Sequence, residues 1–224
     1  MGANAAYYNT GQDLNAMGYA AAQNNTGISV NASGYRAAHS NNGNNVNASG
    51  YRAAQNNFLN ANNVNAFGYD AAFENGGSDV NAMGTNAAKY NQYVNVNAFG
   101  NGAAFQNDNV YVNAFGQQAA AYNIGSNANA IGFQALLNND GNNVIGIGPN
   151  AAENNIGTNV IALGTGSGLA NGISNSFIIS NGELPEYADA FDAGLTINLL
   201  NGATPNCTYL YCDLSTGMVG YLRF

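Results

Sequence analysis

A motif that returns every 16 residues leaves this chain few folds to choose from. Glycine stands at Gly2, Gly18, Gly34, Gly50, Gly68, Gly84, Gly100, Gly116, Gly132, Gly148 and Gly164, always 16 residues apart except for 18 between Gly50 and Gly68. The unit reads Val-Asn-Ala-x-Gly-x-x-Ala-Ala, with Phe, Met, Ser or Ile before the glycine. With that glycine as position 0, Val occupies −4 in most units and Ala −2, replaced once by Gly146. Ala stands at +3 in every unit but the last, which has Ser167. Position +7 is Asn throughout: Asn9, Asn25, Asn41, Asn57, Asn75, Asn91, Asn107, Asn123, Asn139, Asn155 and Asn171. Self-similarity at a fixed short period is the signature of a repeat array.

A unit this short cannot hold the helix pair of an α-solenoid, and it carries no 3.6-residue period. Two strands of four or five residues and two turns fit it, which predicts an all-β parallel β-solenoid of eleven to twelve coils over residues 1–180. Strand alternation puts −4, −2 and 0 on one face and −3 and −1 on the other. Filling the interior with Val and Ala leaves Phe67, Met83, Phe99, Phe115 and Ile131 outside as one stripe, of the kind that marks interfaces. The opposite assignment stays open at this point. Gly at 0 and Asn at +7 mark the two turns, where a positive φ is needed or tolerated. Asn amides in successive coils can hydrogen-bond into a ladder. At about 4.8 Å per coil the stack should be roughly 50 Å long. The two extra residues near Phe58 and Leu59 fall at a corner, as a contact finger or as a bulge folded onto the next coil.

Composition agrees with a repeat rather than a globule. Only 7% of residues are charged and Trp is absent, yet 14 Tyr and 10 Phe are more aromatics than disorder would carry. The net charge is −8, with Arg36, Arg52, Lys89 and Arg223 the only Lys and Arg. Phosphate neutralisation needs clustered cations, so nucleic acid is not an expected partner. No apolar run is long enough for a membrane helix, so no membrane insertion is expected. No secretory signal is visible, because Met1 enters the repeat directly; a processed chain, an excised fragment and a virion protein would all look like this.

Beyond Ile161 the pattern decays. Ser176 to Ser180 reads as a twelfth strand, and residues 181–224 are expected to form a C-terminal cap with a hairpin over 208–223. Cys207 and Cys212 read as small buried side chains, since five-residue spacing points them to opposite faces of a strand.

No chemistry-bearing constellation stands out. His39 shares its column with Gln23 and Gln55 and reads as a surface substitution; a second imidazole or nearby thiol for a metal is lacking. Asp70 and Glu74 are the best carboxylate pair within the repeats, with Glu183, Glu186, Asp189 and Asp192 clustered later, and all read as solvated charge. Gly76-Gly77-Ser78-Asp79 is faintly similar to calcium-binding β-roll repeats, but occurs once. No catalytic residue, cofactor or metal is expected. Two columns are more informative. Tyr19, Tyr35, Tyr51 and Tyr69 at +1 form an aromatic stripe that could stack on sugar rings or pack in a subunit interface. Arg36, Arg52 and Asp70 follow one another at +2, so Arg52–Asp70 is an expected cross-coil ion pair, worth under about 1 kcal/mol if exposed. Arg36 is left over for a carboxylate of a neighbouring chain or of a glycan.

Val144-Ile145-Gly146-Ile147-Gly148 and Val160-Ile161-Ala162-Leu163-Gly164 resemble the head repeats of trimeric autotransporter adhesins, whose units read roughly Ser-Val-Ala-Ile-Gly-x-x-Ala; phage and viral fibres carry similar repeats. The likeness covers residues 1 to about 180. It implies a left-handed parallel β-roll, three chains side by side, and a role in attachment. The unit here is slightly longer than the family's, Asn replaces the aliphatic residue at −3 from Asn15 to Asn129, and the family's coiled-coil stalk and membrane anchor have no counterpart.

These readings converge on a non-enzymatic fibre protein at an extracellular, cell or virion surface: an adhesin-like head that is a homotrimer with a cell-surface or glycan ligand. The alternative is a structural subunit that polymerises head to tail, the open edge of the first coil meeting the cap of the next chain. Ice binding is the remote third, because Thr arrays are lacking.

Overall fold

The computed structural model describes residues 2–179 with their side chains and, by backbone alone, two further strands, Cys207–Asp213 and Met218–Arg223. Eleven short strands stack in chain order into one parallel sheet: β1 Leu14–Met17, β2 Val30–Ser33, β3 Val46–Ser49, β4 Val64–Phe67, β5 Val80–Met83, β6 Val96–Phe99, β7 Val112–Phe115, β8 Ala128–Ile131, β9 Val144–Ile147, β10 Val160–Leu163 and β11 Phe177–Ile179. Each pairs with the next in the register of the repeat, as in Val30↔Val46, Asn31↔Asn47, Ala32↔Ala48 and Ser33↔Ser49. The chain is therefore an all-β parallel β-solenoid with 16-residue coils. The segment β12, Cys207–Asp213, pairs antiparallel with β13, Met218–Arg223, which is the expected hairpin. The remainder of the expected cap, and the side chains of Cys207, Cys212 and the later acids, lie outside the described residues.

Strand alternation resolves which face is inside. Val and Ala at −4 and −2 are buried and the residues between them are not, a pattern repeated from β2 to β9. Facing them across a thin interior are the adjacent Ala residues at +3 and +4, such as Ala37 and Ala38, both fully buried. Packing is matched coil by coil. Leu136 takes the +4 place of an Ala, and Gly146 in the next coil gives up the methyl that would otherwise sit 3.1 Å from its Cγ and Cδ2. A core at crystal-like density has no slack for both side chains, so one enlargement requires one deletion.

The far side of each coil is not the expected second strand. Residues 0 to +7 form overlapping four-residue turns: Ala21 N–H donates to Gly18 O, and Gln23 N–H to Ala20 O. Positive φ recurs at +2, +4 and +6, as in Arg36 (φ 53), Ala38 (φ 49) and Ser40 (φ 54), which is the third-residue signature of a type II turn. The reason lies in the two consecutive buried alanines: a strand would point one of them outward. The alternating backbone also keeps its polar groups paired between coils. Arg36 N–H reaches back to Tyr19 O at 2.9 Å, Ala38 N–H forward to Ala53 O at 2.8 Å, and Ser40 N–H back to Gln23 O at 2.8 Å. Glycine is obligatory at position 0 from Gly18 to Gly164, where φ lies between 108 and 138. A Cβ on Gly34 would sit 2.3 Å from the carbonyl oxygen of Gly50.

Asn at +7 does something other than accept a positive φ, which none of these residues has. From Asn25 to Asn155 it is fully buried, and its amide holds the corner from within. Asn41 Nδ2 donates to Asn25 Oδ1 and to Gly43 O, both at 2.8 Å, while its Oδ1 accepts from Asn57 Nδ2 at 2.8 Å and from Gly43 N–H at 3.3 Å. The same link runs unbroken from Asn171 down to Asn9. Every donor points the same way along the stack, so the amides polarise one another. On the outer face the −3 column forms a second ladder of opposite sense, in which Asn15 donates to Asn31, and so on to Asn129.

Candidate functional site

What the solenoid offers a partner is set by its outward columns. On the strand face these are −3, −1 and, past the glycine, +1. The −1 column carries Met17, Phe67, Met83, Phe115, Ile131 and Ile147, each 41–64% exposed, with Phe99 half-buried and stacked on Phe115 at 4.9 Å. The run of large apolar side chains in this column is interrupted in the third and fourth coils, where Ser33 and Ser49 stand instead. There the flanking Asn31 and Asn47 are exposed, whereas Asn65, Asn81, Asn97, Asn113 and Asn129 beside large neighbours are half-buried. The two serines thus floor a notch, closed at its ends by Met17 and Phe67.

The +1 column borders this notch. Tyr19, Tyr35, Tyr51 and Tyr69 stack face to face, with centroids 5.3, 4.9 and 4.8 Å apart and planes within 11° of parallel. Their faces are spent on one another, so the stripe is not a platform for stacking a sugar; it presents ring edges and phenol hydroxyls. The rings are 39–48% exposed. Behind them lie the +2 arginines, with the Arg36 guanidinium 5.6 Å from the Tyr35 ring and that of Arg52 5.1 Å from Tyr51.

The expected Arg52–Asp70 pair is present, but it is not an exposed one. Asp70 is fully buried and accepts from Arg52 Nε at 2.7 Å, from Arg52 Nη2 at 2.6 Å and from Lys89 Nζ at 2.9 Å. The carboxylate holds the Arg52 guanidinium above its ordinary pKa, chiefly through these hydrogen bonds. Glu74 does not join Asp70: it lines a shallow hollow with Ser40, Asn42, Asn56 and Phe58. Among the described residues no three His, Cys, Asp or Glu side chains gather as metal ligands. His39 is half-buried with its Nδ1 2.9 Å from Ser40 Oγ, and burial, then the charge of Arg36, push its pKa down.

At the insertion Phe58 keeps the ordinary corner bond, its N–H donating to Asn75 O, and lies against the next coil at Gly76. Leu59 projects, 72% exposed. Phe58 is thus folded back onto the neighbouring coil, while Leu59 stands clear of it. A second aromatic array escaped the column-by-column reading of the sequence. Phe73, Tyr90, Phe105 and Tyr122 form a herringbone, centroids 5.9, 5.7 and 5.4 Å apart and planes 71–85° from parallel. They alternate between positions +5 and +6, so only the two columns read together would have shown them.

The fold and these surfaces define the chain as a parallel β-solenoid repeat protein. No family model, no curated protein and no solved structure matches it.

Proposed function

We propose that the protein is a non-enzymatic attachment rod of an extracellular, cell or virion surface, assembled as a parallel homotrimer along its strand face. The supporting observation is the −1 column: large apolar side chains aligned along one parallel sheet and left open to water. The largest apolar patch of an ordinary monomer covers about 300–600 Å², and longer ones mark interfaces. Here the column extends from Met17 to Ile147, broken only at the two serines. Threefold assembly and attachment follow the resemblance to adhesin head repeats. The outer Asn ladder beside the column supplies polar contacts between chains. Sedimentation of the full chain tests this. The expected species has three times the 23.0 kDa chain mass, and Phe99→Asn with Phe115→Asn should dissociate it while the circular dichroism stays that of the wild type. A wild-type monomer, or indefinite fibres under the electron microscope, would overturn it, the latter in favour of a head-to-tail filament.

A further inference from the structure

On the turn side the 16-residue repeat carries a second, longer period. Tyr stands at +6 in the sixth and eighth coils, as Tyr90 and Tyr122, and Asp at +8 in the seventh and ninth, as Asp108 and Asp140. Ile124 and Ile156 hold +8 in the eighth and tenth, so acid and aliphatic side chains alternate down that column. Each kind of group therefore returns every second coil, about 9.6 Å along the stack. Phe105, at +5 of the seventh coil, is wedged between the two tyrosines, its centroid 5.7 Å from Tyr90 and 5.4 Å from Tyr122. Because it separates them edge to face, these tyrosines do not cover one another as the +1 rings do. Tyr90, Tyr122, Gln106, Asp108 and Ile124 line a shallow hollow. Tyr122 and Ile124 are 47% and 48% exposed, and Asp108 and Asp140 are exposed as well.

The charge of this stretch is of one sign. From Tyr90 to Ile179 the chain has no Lys, Arg or His, and its acids, Asp108, Asp140 and Glu153, all stand on the turn side. The ion pairs among the described residues both belong to Asp70, so none of these three carboxylates has a cation among them. The columns involved, +5, +6 and +8, lie away from the −3, −1 and +1 columns of the strand face. The hollow is thus open in a single chain and in one assembled through its strands, and a ligand there is independent of that assembly.

We propose that Tyr90, Tyr122, Asp108 and Asp140 form a docking groove for an extended, proline-rich polypeptide that carries Lys or Arg at every third position. A polyproline II helix has three residues per turn and advances about 9.3 Å with each, which keeps step with a two-coil period of about 9.6 Å. Other regular backbones do not: a strand repeats its face about every 6.7 Å, and two turns of an α-helix span about 10.8 Å. Laid along the stack, such a peptide puts the cations of one ridge on Asp108 and Asp140 in turn. A second ridge sets proline rings on Tyr90 and Tyr122, the way aromatic grooves take proline-rich segments. Unpaired negative charge selects a basic partner and disfavours a second copy of a chain whose net charge is −8. Proline also supplies a backbone that is extended before it binds, which lowers the cost of ordering.

Calorimetric titration of the full chain tests this. The probes are synthetic peptides of repeated Pro-Pro-Lys, Gly-Gly-Lys and Pro-Pro-Pro-Lys units with equal numbers of Lys, together with cellohexaose. Pro-Pro-Lys should bind saturably, about tenfold tighter than either other peptide, with an affinity that falls as salt rises. Tyr122→Asn should weaken it about tenfold and Asp108→Asn about threefold. Asn already holds these positions at Asn138 and Asn42, so both variants should keep the circular dichroism of the wild type. No saturable binding by folded protein, equal binding of Gly-Gly-Lys or Pro-Pro-Pro-Lys, or binding unchanged by Tyr122→Asn would overturn the groove. Cellohexaose binding that Tyr122→Asn removes would overturn it too, by making the aromatic array a sugar platform. Sedimentation of the same samples keeps the two proposals apart: a trimer that ignores the peptide removes only the groove, and a monomer that binds it removes only the assembly.

Discussion

Replacing Asn41 by alanine asks how much of the fold is held by amides inside it. The substitution removes four hydrogen bonds at 2.8–3.3 Å, two to the amides above and below and two to the turn at Gly43. A buried bond is worth about 1 kcal/mol net, and a partner left unsatisfied costs about 1–3 kcal/mol, so the loss should be about 4 kcal/mol. Asn47, one strand away in the outer ladder, makes two bonds of 2.8–2.9 Å to Asn31 and Asn65, but in contact with water. Water replaces those partners, and Asn47→Ala should cost under about 1 kcal/mol. Guanidinium unfolding followed by far-ultraviolet circular dichroism measures both. A fall in slope would show that the array melts in pieces, as nearest-neighbour stacks do. Equal costs for the two variants would refute the claim that the inner ladder is the chief polar support of the coil.

Gly68→Ala should cost at least about 3 kcal/mol in the same assay, because its Cβ would lie 2.6 Å from Gly84 O at φ 137, whereas Gly102→Ala, with nothing nearer than 3.5 Å, should cost under about 1 kcal/mol. Asp70→Asn leaves Arg52 and Lys89 without their shared carboxylate and should cost about 2–3 kcal/mol; a wild-type stability independent of salt would agree with the burial of Asp70. His39 titrates below its ordinary value, so its neutral form supports the fold. That contribution is complete above pH 6.5, the unfolded value, and is lost as pH falls from there toward the lowered folded value. His39→Gln should flatten the stability profile below that pH, and an unchanged slope would contradict it.

The strand half of each coil was legible because Val and Ala recur at −4 and −2, a two-residue period that only a strand answers to. The other half was not, since Ala at +3 and +4 are both interior and no regular period describes a chain of turns with alternating sign of φ. Asn at +7 was found as a corner residue, but for its tolerance of positive φ; its amide, turned inward, is what the structure uses. The pairing of Asp70 with Arg52 is legible in their shared column, but its second cation, Lys89, stands in another column and is not adjacent in any linear reading. The notch at Ser33 and Ser49 requires knowing that −1 faces outward, which the sequence left open. The exchange of Leu136 against Gly146 carried a usable signal: the one Leu at +4 and the one Gly at −2 fall in consecutive coils.

Distances between nitroxide labels along the −3 column test the stacking of coils most directly. Cysteines replacing Asn47 and, in turn, Asn97, Asn113 or Asn129 would carry the labels, with Cys207 and Cys212 changed to Ser and labelled chain diluted in unlabelled. These positions are coil-equivalent in the sheet, through the registers Asn47↔Asn65, Asn65↔Asn81, Asn81↔Asn97, Asn97↔Asn113 and Asn113↔Asn129. Pulsed electron spin resonance should give narrow distributions that lengthen by about 4.8 Å with each coil added. Distances that fail to grow in equal steps, or that spread as in an unfolded chain, would contradict the solenoid.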